Sequence, residues 1–333
     1  MGFLGFVDFV GFVSFVSFAT PVGRTSCARL ALVCAALLMA SGCTTQPPVR
    51  ATNAAQSAAS AFSQRAAGAL QRGDPTTALA LYEQALAAAD SVEDFETSGA
   101  TLLNLALVQA RLGRLQQAHQ QVDRILQAPG RYAVTLQSQA ATRKALLFLG
   151  AAELKSALTW VDRAQDTCPQ PCALAAVWAN VRAHVALERG DALAAVGYAK
   201  QAATQAAGAG AGAEAEAVPQ AEQANALRLL GRAQTRLGRH DAAAAALQQA
   251  LDLDRALGLP ERIALDLFYA GDNAALGGLP SEARERYERA LRVSVAAGLP
   301  RITALVQARL DALGPSPGTS LAPSLVPLPA PTP

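Results

Sequence analysis

Charge and aromatic side chains are what this sequence has least of. Of its 333 residues 16% are charged and 5% aromatic, and 28 Lys and Arg against 26 Asp and Glu leave a formal charge of +2. A near-neutral chain with no Lys/Arg block and no basic strip interleaved with aromatics lacks the electrostatic footprint of a nucleic-acid binder. Histidine is scarce too: His119, His184 and His240 fall at unmatched points of the chain, so no ligand cluster is expected. No Ser/His/Asp constellation or pair of catalytic carboxylates stands out. The Ala-Gly run at 206–212 lacks the Lys and hydroxyl of a phosphate loop. The expectation is a protein that is not an enzyme, uses no cofactor and takes no small-molecule substrate.

What is abundant is apolar and small: 51% of the residues are hydrophobic, and Ala and Leu dominate. Alanine is the best helix former, yet each one buries little surface at roughly 25 cal/mol per Å², so stability must come from many small contacts between closely packed helices. The clearest unit runs from Asn225 to Leu257. Leu227, Leu230 and Gly231 lie on one helical face, Leu237-Gly238-Arg239 makes a turn, and Ala243, Leu247 and Ala250 return along a second helix. The frame recurs in Leu267, Ala270, Gly271, Gly278, Ala283, Tyr287 and Ala290, and LGLPERIAL after one copy is echoed by AGLPRITAL after the next. That is an internal repeat.

Four earlier copies share the frame. The first is Phe62, Ala66, Gly73, Ala78, Tyr82 and Ala85, with Asp74-Pro75 as cap and first-turn residue of its second helix. The second is Leu102, Leu105, Ala106, Gly113, Ala118, Val122 and Ile125, with Gly113 40 residues after Gly73. Ala145, Ala152, Ala157, Val161 and Ala164 give a third, in which Ala152 replaces the turn glycine, and Ala183, Gly190, Ala195, Ala199 and Ala202 give a fourth. From Gly190 to Gly238 the spacing stretches to 48, the surplus falling in AAGAGAGAEAEA at 206–217, which is either a linker between two subarrays or a long loop on one stack. Arg301 to Leu313 fits a closing helix, and the Pro-rich 314–333 reads as an extended tail.

The unit resembles the tetratricopeptide repeat. That resemblance implies an all-α fold, a tetratricopeptide-like α-solenoid of about six helix-turn-helix repeats over 58–313 with a C-terminal capping helix. It also implies a concave groove lined by the first helices. On that basis the partner groove is expected to carry Leu103, Leu107, Leu146 and His184, then Asn225, Arg228, Arg232, Phe268 and Asp272. Arg228 and Arg232 would read an acidic segment, while the leucines fit a core stripe equally well.

At the amino terminus Arg24 and Arg29 precede the apolar run Leu30 to Met39, which ends in Ala40-Ser41-Gly42-Cys43. This order is similar to a bacterial lipoprotein signal over 1–42. The resemblance implies acylation of Cys43, a lipidated tether at 43–57, and, with Thr44 following, sorting to the outer membrane with the array facing the periplasm. Upstream, Phe3, Phe6, Phe9, Phe12, Phe15 and Phe18 recur every third residue, which suits neither helix nor strand; the stretch is either an added membrane anchor or lies before a true start near Val22. In an oxidising compartment Cys168 and Cys172 are expected to close a disulfide that staples their loop, since redox motifs space their cysteines by two residues.

Together these readings describe an envelope scaffold or adaptor that binds protein partners, either whole envelope proteins or peptide segments. It is held to the membrane by its acyl anchor. The alternative is a pilot lipoprotein assisting assembly of a pilus or secretion pore.

Overall fold

The computed structural model describes residues 53–170, 172–208 and 217–314. These form thirteen α-helices, and among the described residues there is no strand. In chain order they are α1 (Ala54–Gln71), α2 (Pro75–Asp90), α3 (Phe95–Arg111), α4 (Leu115–Leu126), α5 (Val134–Gly150), α6 (Leu154–Thr167) and α7 (Ala175–Glu188). They continue as α8 (Ala192–Gly208), α9 (Ala217–Arg236), α10 (His240–Ala256), α11 (Pro260–Leu276), α12 (Pro280–Ala296) and α13 (Pro300–Ala312). Pairing them in order gives six helical hairpins and a last single helix. The chain divides into two compact units between Ala140 and Ala141, inside α5.

One local device makes every hairpin. The turn residue has a positive φ at Gly73, Gly113, Ala152, Gly190, Gly238 and Gly278. The following N–H reaches back five residues to a carbonyl: Asp74 to Ala69, Arg114 to Gln109, Glu153 to Phe148, Asp191 to Ala186, Arg239 to Gln234 and Leu279 to Ala274, all at 2.8–3.0 Å. This is the Schellman closure, which satisfies carbonyls left over at a helix C-terminus and needs a left-handed residue. Five of the six positions are glycine. Ala152 is bent to φ 60° by the same hydrogen bonds, which identifies the third copy as a full member of the series.

In the first unit, Asn53 caps α1 in a reciprocal capping box with Gln56, four residues inside the stretch expected to be tether. Asp74 accepts from Thr77 N at 3.0 Å with Pro75 in the first turn, matching the cap and first-turn roles expected of the pair. Asp94 caps α3 and also accepts from Gln56 Nε2 at 3.2 Å, tying one hairpin to the next. The core beneath is Ala66, Ala69, Ala78, Tyr82, Leu105 and Val108, with Phe62 and Leu112 against it.

In the second unit, α7 to α13 pack each against the next, and α7, α9, α11 and α13 also touch in series. Pro260, Pro280 and Pro300 open their helices in the first turn, where the missing N–H costs nothing. The stretch at 206–217 does not part its neighbours: Ala179, Ala202 and Ala226 form one buried cluster across it, and Asn180 Nδ2 donates to Glu222 O at 3.1 Å. The last helix covers α11 and α12 with Ile302, Val306 and Leu310.

Cys43 and the signal segment, the tail at 315–333 and residues 209–216 lie outside the described residues. Among those described, no helix is long and apolar enough to cross a membrane.

Candidate partner-binding face

The first helices of hairpins four to six sit between neighbours on both sides, and this decides the fate of the charges they carry. On α11 every residue from Ala264 to Tyr269 is buried, and on α7 so is every residue from Ala176 to Val181. A side chain on such a helix therefore meets protein, even where its sequence neighbours are polar.

Arg228 of α9 is the main case. It is 1% exposed, its Nε donates to Asp266 Oδ1 of α11 at 2.7 Å, its Nη2 donates to Asp254 Oδ2 of α10, and its Nη1 donates to Asn225 Oδ1 at 3.3 Å. Glu222, Asn180 and Arg262 extend the cluster: Asn180 Nδ2 donates to Glu222 Oε2 at 2.9 Å and Arg262 Nη1 to Ala221 O at 2.7 Å. Burial raises the Glu222 carboxyl above its ordinary range, against the pull of Arg262, and burial lowers the Arg262 guanidinium. The groove assignments of Arg228 and Asn225 are thereby corrected. Both are interior, and the Arg228 guanidinium is committed to two aspartates of its own chain, so it cannot read an acidic partner.

His184 and Phe268 are corrected for the same reason, at 0% and 2% exposure. Leu103, Leu107 and Leu146 are core, the second of the two roles their spacing allowed.

Two of the expected residues do reach the edge of the array, near the C-terminal ends of their helices. Arg232 lies 4.6 Å over the Tyr269 ring with Nη2 3.6 Å from Glu188 Oε1; His184 Nε2 is 3.6 Å from the same oxygen. Beside it the exposed Arg236 donates to Leu187 O, and burial of its stem followed by repulsion from Arg232 lowers its pKa. Asp272 accepts from Tyr287 OH at 2.6 Å and from Arg309 Nε at 2.9 Å, while the Arg309 guanidinium stands 5.5 Å over the Phe268 ring. Burial raises the Tyr287 phenol, with the Asp272 hydrogen bond adding to it. These form a strip of paired charges on aromatic faces.

A second feature lies at the turns of hairpins five and six. A cavity of about 230 Å³ opens between α10, α11 and α12, with Ala244, Leu247, Leu251, Ala270 and Ala274 as its apolar wall and His240, Asp241, Glu282 and Arg286 at its polar rim. Leu279 lines it while 54% exposed, and Leu276 in the same turn is 69% exposed. His240 is fixed there: Asn273 Nδ2 donates to its carbonyl at 3.0 Å, which turns Asn273 Oδ1 towards His240 Nδ1 at 3.1 Å. This site was not among the sequence expectations. The signal was the paired exposed apolar residues in LGGLP, which a turn does not need.

Cys168 and Cys172 are joined by a disulfide in the loop between α6 and α7.

Residues 226–261 match the tetratricopeptide repeat family. No curated protein sequence matches the chain. Among solved structures, a Rap protein complexed with Competence and Sporulation Factor is similar over 79% of this chain and 76% of its own, at 16% identity and a TM-score of 0.54. The apo form of RapI is similar over 76% and 72% at 12% identity and 0.49, and a tetratricopeptide repeat protein from Parabacteroides merdae over 78% and 95% at 14% and 0.41. The first of these speaks for the fold, which is a tetratricopeptide-like array of helix-turn-helix repeats.

Proposed function

We propose that this chain is a scaffold that docks protein partners, anchored by an acylated Cys43 to the outer membrane and facing the periplasm. The observation that carries the docking role is the cavity between α10, α11 and α12, with Leu279 exposed in its lining and Leu276 exposed in the same turn. Large apolar side chains held in water beside an apolar recess mark an interaction surface. Elsewhere on the array, Arg232, Arg236 and Glu188 offer charges suited to orienting a partner rather than to binding it tightly. The Rap structure, with its bound factor, is a case of a similar fold holding a partner. The anchor rests on the layout of residues 24–43 alone.

The test is recovery of cross-linked envelope proteins by the full chain, compared with Leu276→Asp/Leu279→Asp and with Arg232→Glu. The leucine pair should lose partners while its thermal unfolding stays unchanged. Identical recovery by all three chains rejects the cavity as the docking site. Labelled fatty acid should enter the wild-type chain and not Cys43→Ala. The pilot reading predicts that a deletion strain leaves an outer-membrane pore multimer unassembled, and normal multimers reject it.

A further inference from the structure

Five charged side chains meet in the second unit with almost no access to water: Glu222 and Arg228 on α9, Asp254 on α10, and Arg262 and Asp266 on α11, none more than 6% exposed. Ionised throughout, they hold three negative charges against two positive ones. An unbalanced charge in such a place is strongly unfavourable, and the usual relief is for one group to take up a proton. From α7 the cluster receives the uncharged amide of Asn180, while His184 of the same helix sits by Glu188 instead.

The hydrogen bonds show where that proton belongs. Glu222 already accepts from Asn180, and neither of its oxygens is stranded. Asp254 and Asp266 each give one oxygen to Arg228 and each keep a second, Asp254 Oδ1 and Asp266 Oδ2, buried without a donor. The two carboxyls bind the same guanidinium, which holds them side by side in the interior. A single proton on the pair supplies a donor where neither carboxylate has one and brings the cluster to neutrality.

We infer that Asp254 and Asp266 hold one proton between them, making Arg228 and the two carboxyls a pH-sensitive clasp across the junction of hairpins five and six. Burial above all, with the neighbouring Asp254 charge adding to it against Arg228, pushes the Asp266 carboxyl up to about 8. The sign follows from linkage. Between the ordinary carboxyl range and about 8 the folded chain keeps a proton that the unfolded chain has released, so stability falls as pH rises through that window. Above it the slope vanishes, and the clasp holds an excess negative charge.

Infrared spectroscopy of the full chain in detergent tests this directly. The carbonyl band of a protonated carboxylic acid should be present at about pH 6 and lost by about pH 10. It should shift to lower frequency when aspartate is labelled with heavy carbon at its carboxyl and stay in place when glutamate is so labelled. A shift with labelled glutamate instead, or no such band in the wild type, overturns the assignment. Both spectra use the wild-type chain, so neither depends on a variant folding. The wild-type unfolding equilibrium constant should also rise by up to about tenfold per pH unit in the window, with a flatter profile in Asp266→Asn; equal slopes count against the clasp.

Discussion

The ring of Tyr287 on α12 closes against the bare backbone of Gly271 on α11: a Cβ at position 271 would stand 2.5 Å from Tyr287 Cε1 and 2.6 Å from Cδ1. Hairpin five repeats the arrangement with Gly231 and Leu247, again at 2.5 Å. A rigid aromatic on a packed face cannot retreat far. Gly271→Ala should destabilise the chain by about 1–3 kcal/mol through overpacking, read as a lower urea midpoint. Adding Tyr287→Val, the residue type that hairpin two places opposite Ala106 at Val122, should recover part of the loss.

Ala152 predicts the opposite sign. It is exposed and takes φ 60° in a turn where the five matching positions are glycine. Left-handed backbone costs an L-residue about 1–2 kcal/mol, partly offset by the greater freedom glycine has when unfolded. Ala152→Gly should therefore raise the thermal midpoint, and a lower midpoint would contradict the strain argument.

Removing Arg228 strands two buried carboxyls. Arg228→Ala should cost about 3–5 kcal/mol, and the triple change Arg228→Met/Asp254→Asn/Asp266→Asn should cost less than the single one, because it removes the uncompensated charges along with their partner. Chemical unfolding of the three chains measures it. Charge reversal at Arg228 would report folding and not partner binding, whereas reversal at Arg232 probes the edge.

The disulfide between Cys168 and Cys172 closes a very short loop. On the chain-entropy argument, Cys168→Ser/Cys172→Ser should cost at most about 2 kcal/mol. Denaturant midpoints with and without reductant should shift the wild type by the same small amount and leave the variant unmoved.

Local chemistry was legible from the residues alone. A small residue seven before the turn and Ala five after it recur in all six copies, and a side chain nine after it packs back in five, shrinking to Ala199 in the fourth. Even the substitution at Ala152 fits, since spacing names the turn position whatever residue fills it. The buried charges were half legible. Asp254 follows Ala243, Leu247 and Ala250 on the same helical face, so the apolar period of α10 by itself puts a carboxylate on the buried side.

Sequence by itself determined the hairpins, because their turns and facing small residues are fixed by hydrogen bonds and contacts within a few dozen residues. Only tertiary structure decided that Arg228 is an interior residue and not a reader of partners. Its two aspartates come from other helices, 26 and 38 residues away, and its helix is enclosed by neighbours whose approach no periodicity along one segment records. The exposed leucines beside the cavity were decided in the same way, since a recess between three helices exists only once those helices are packed.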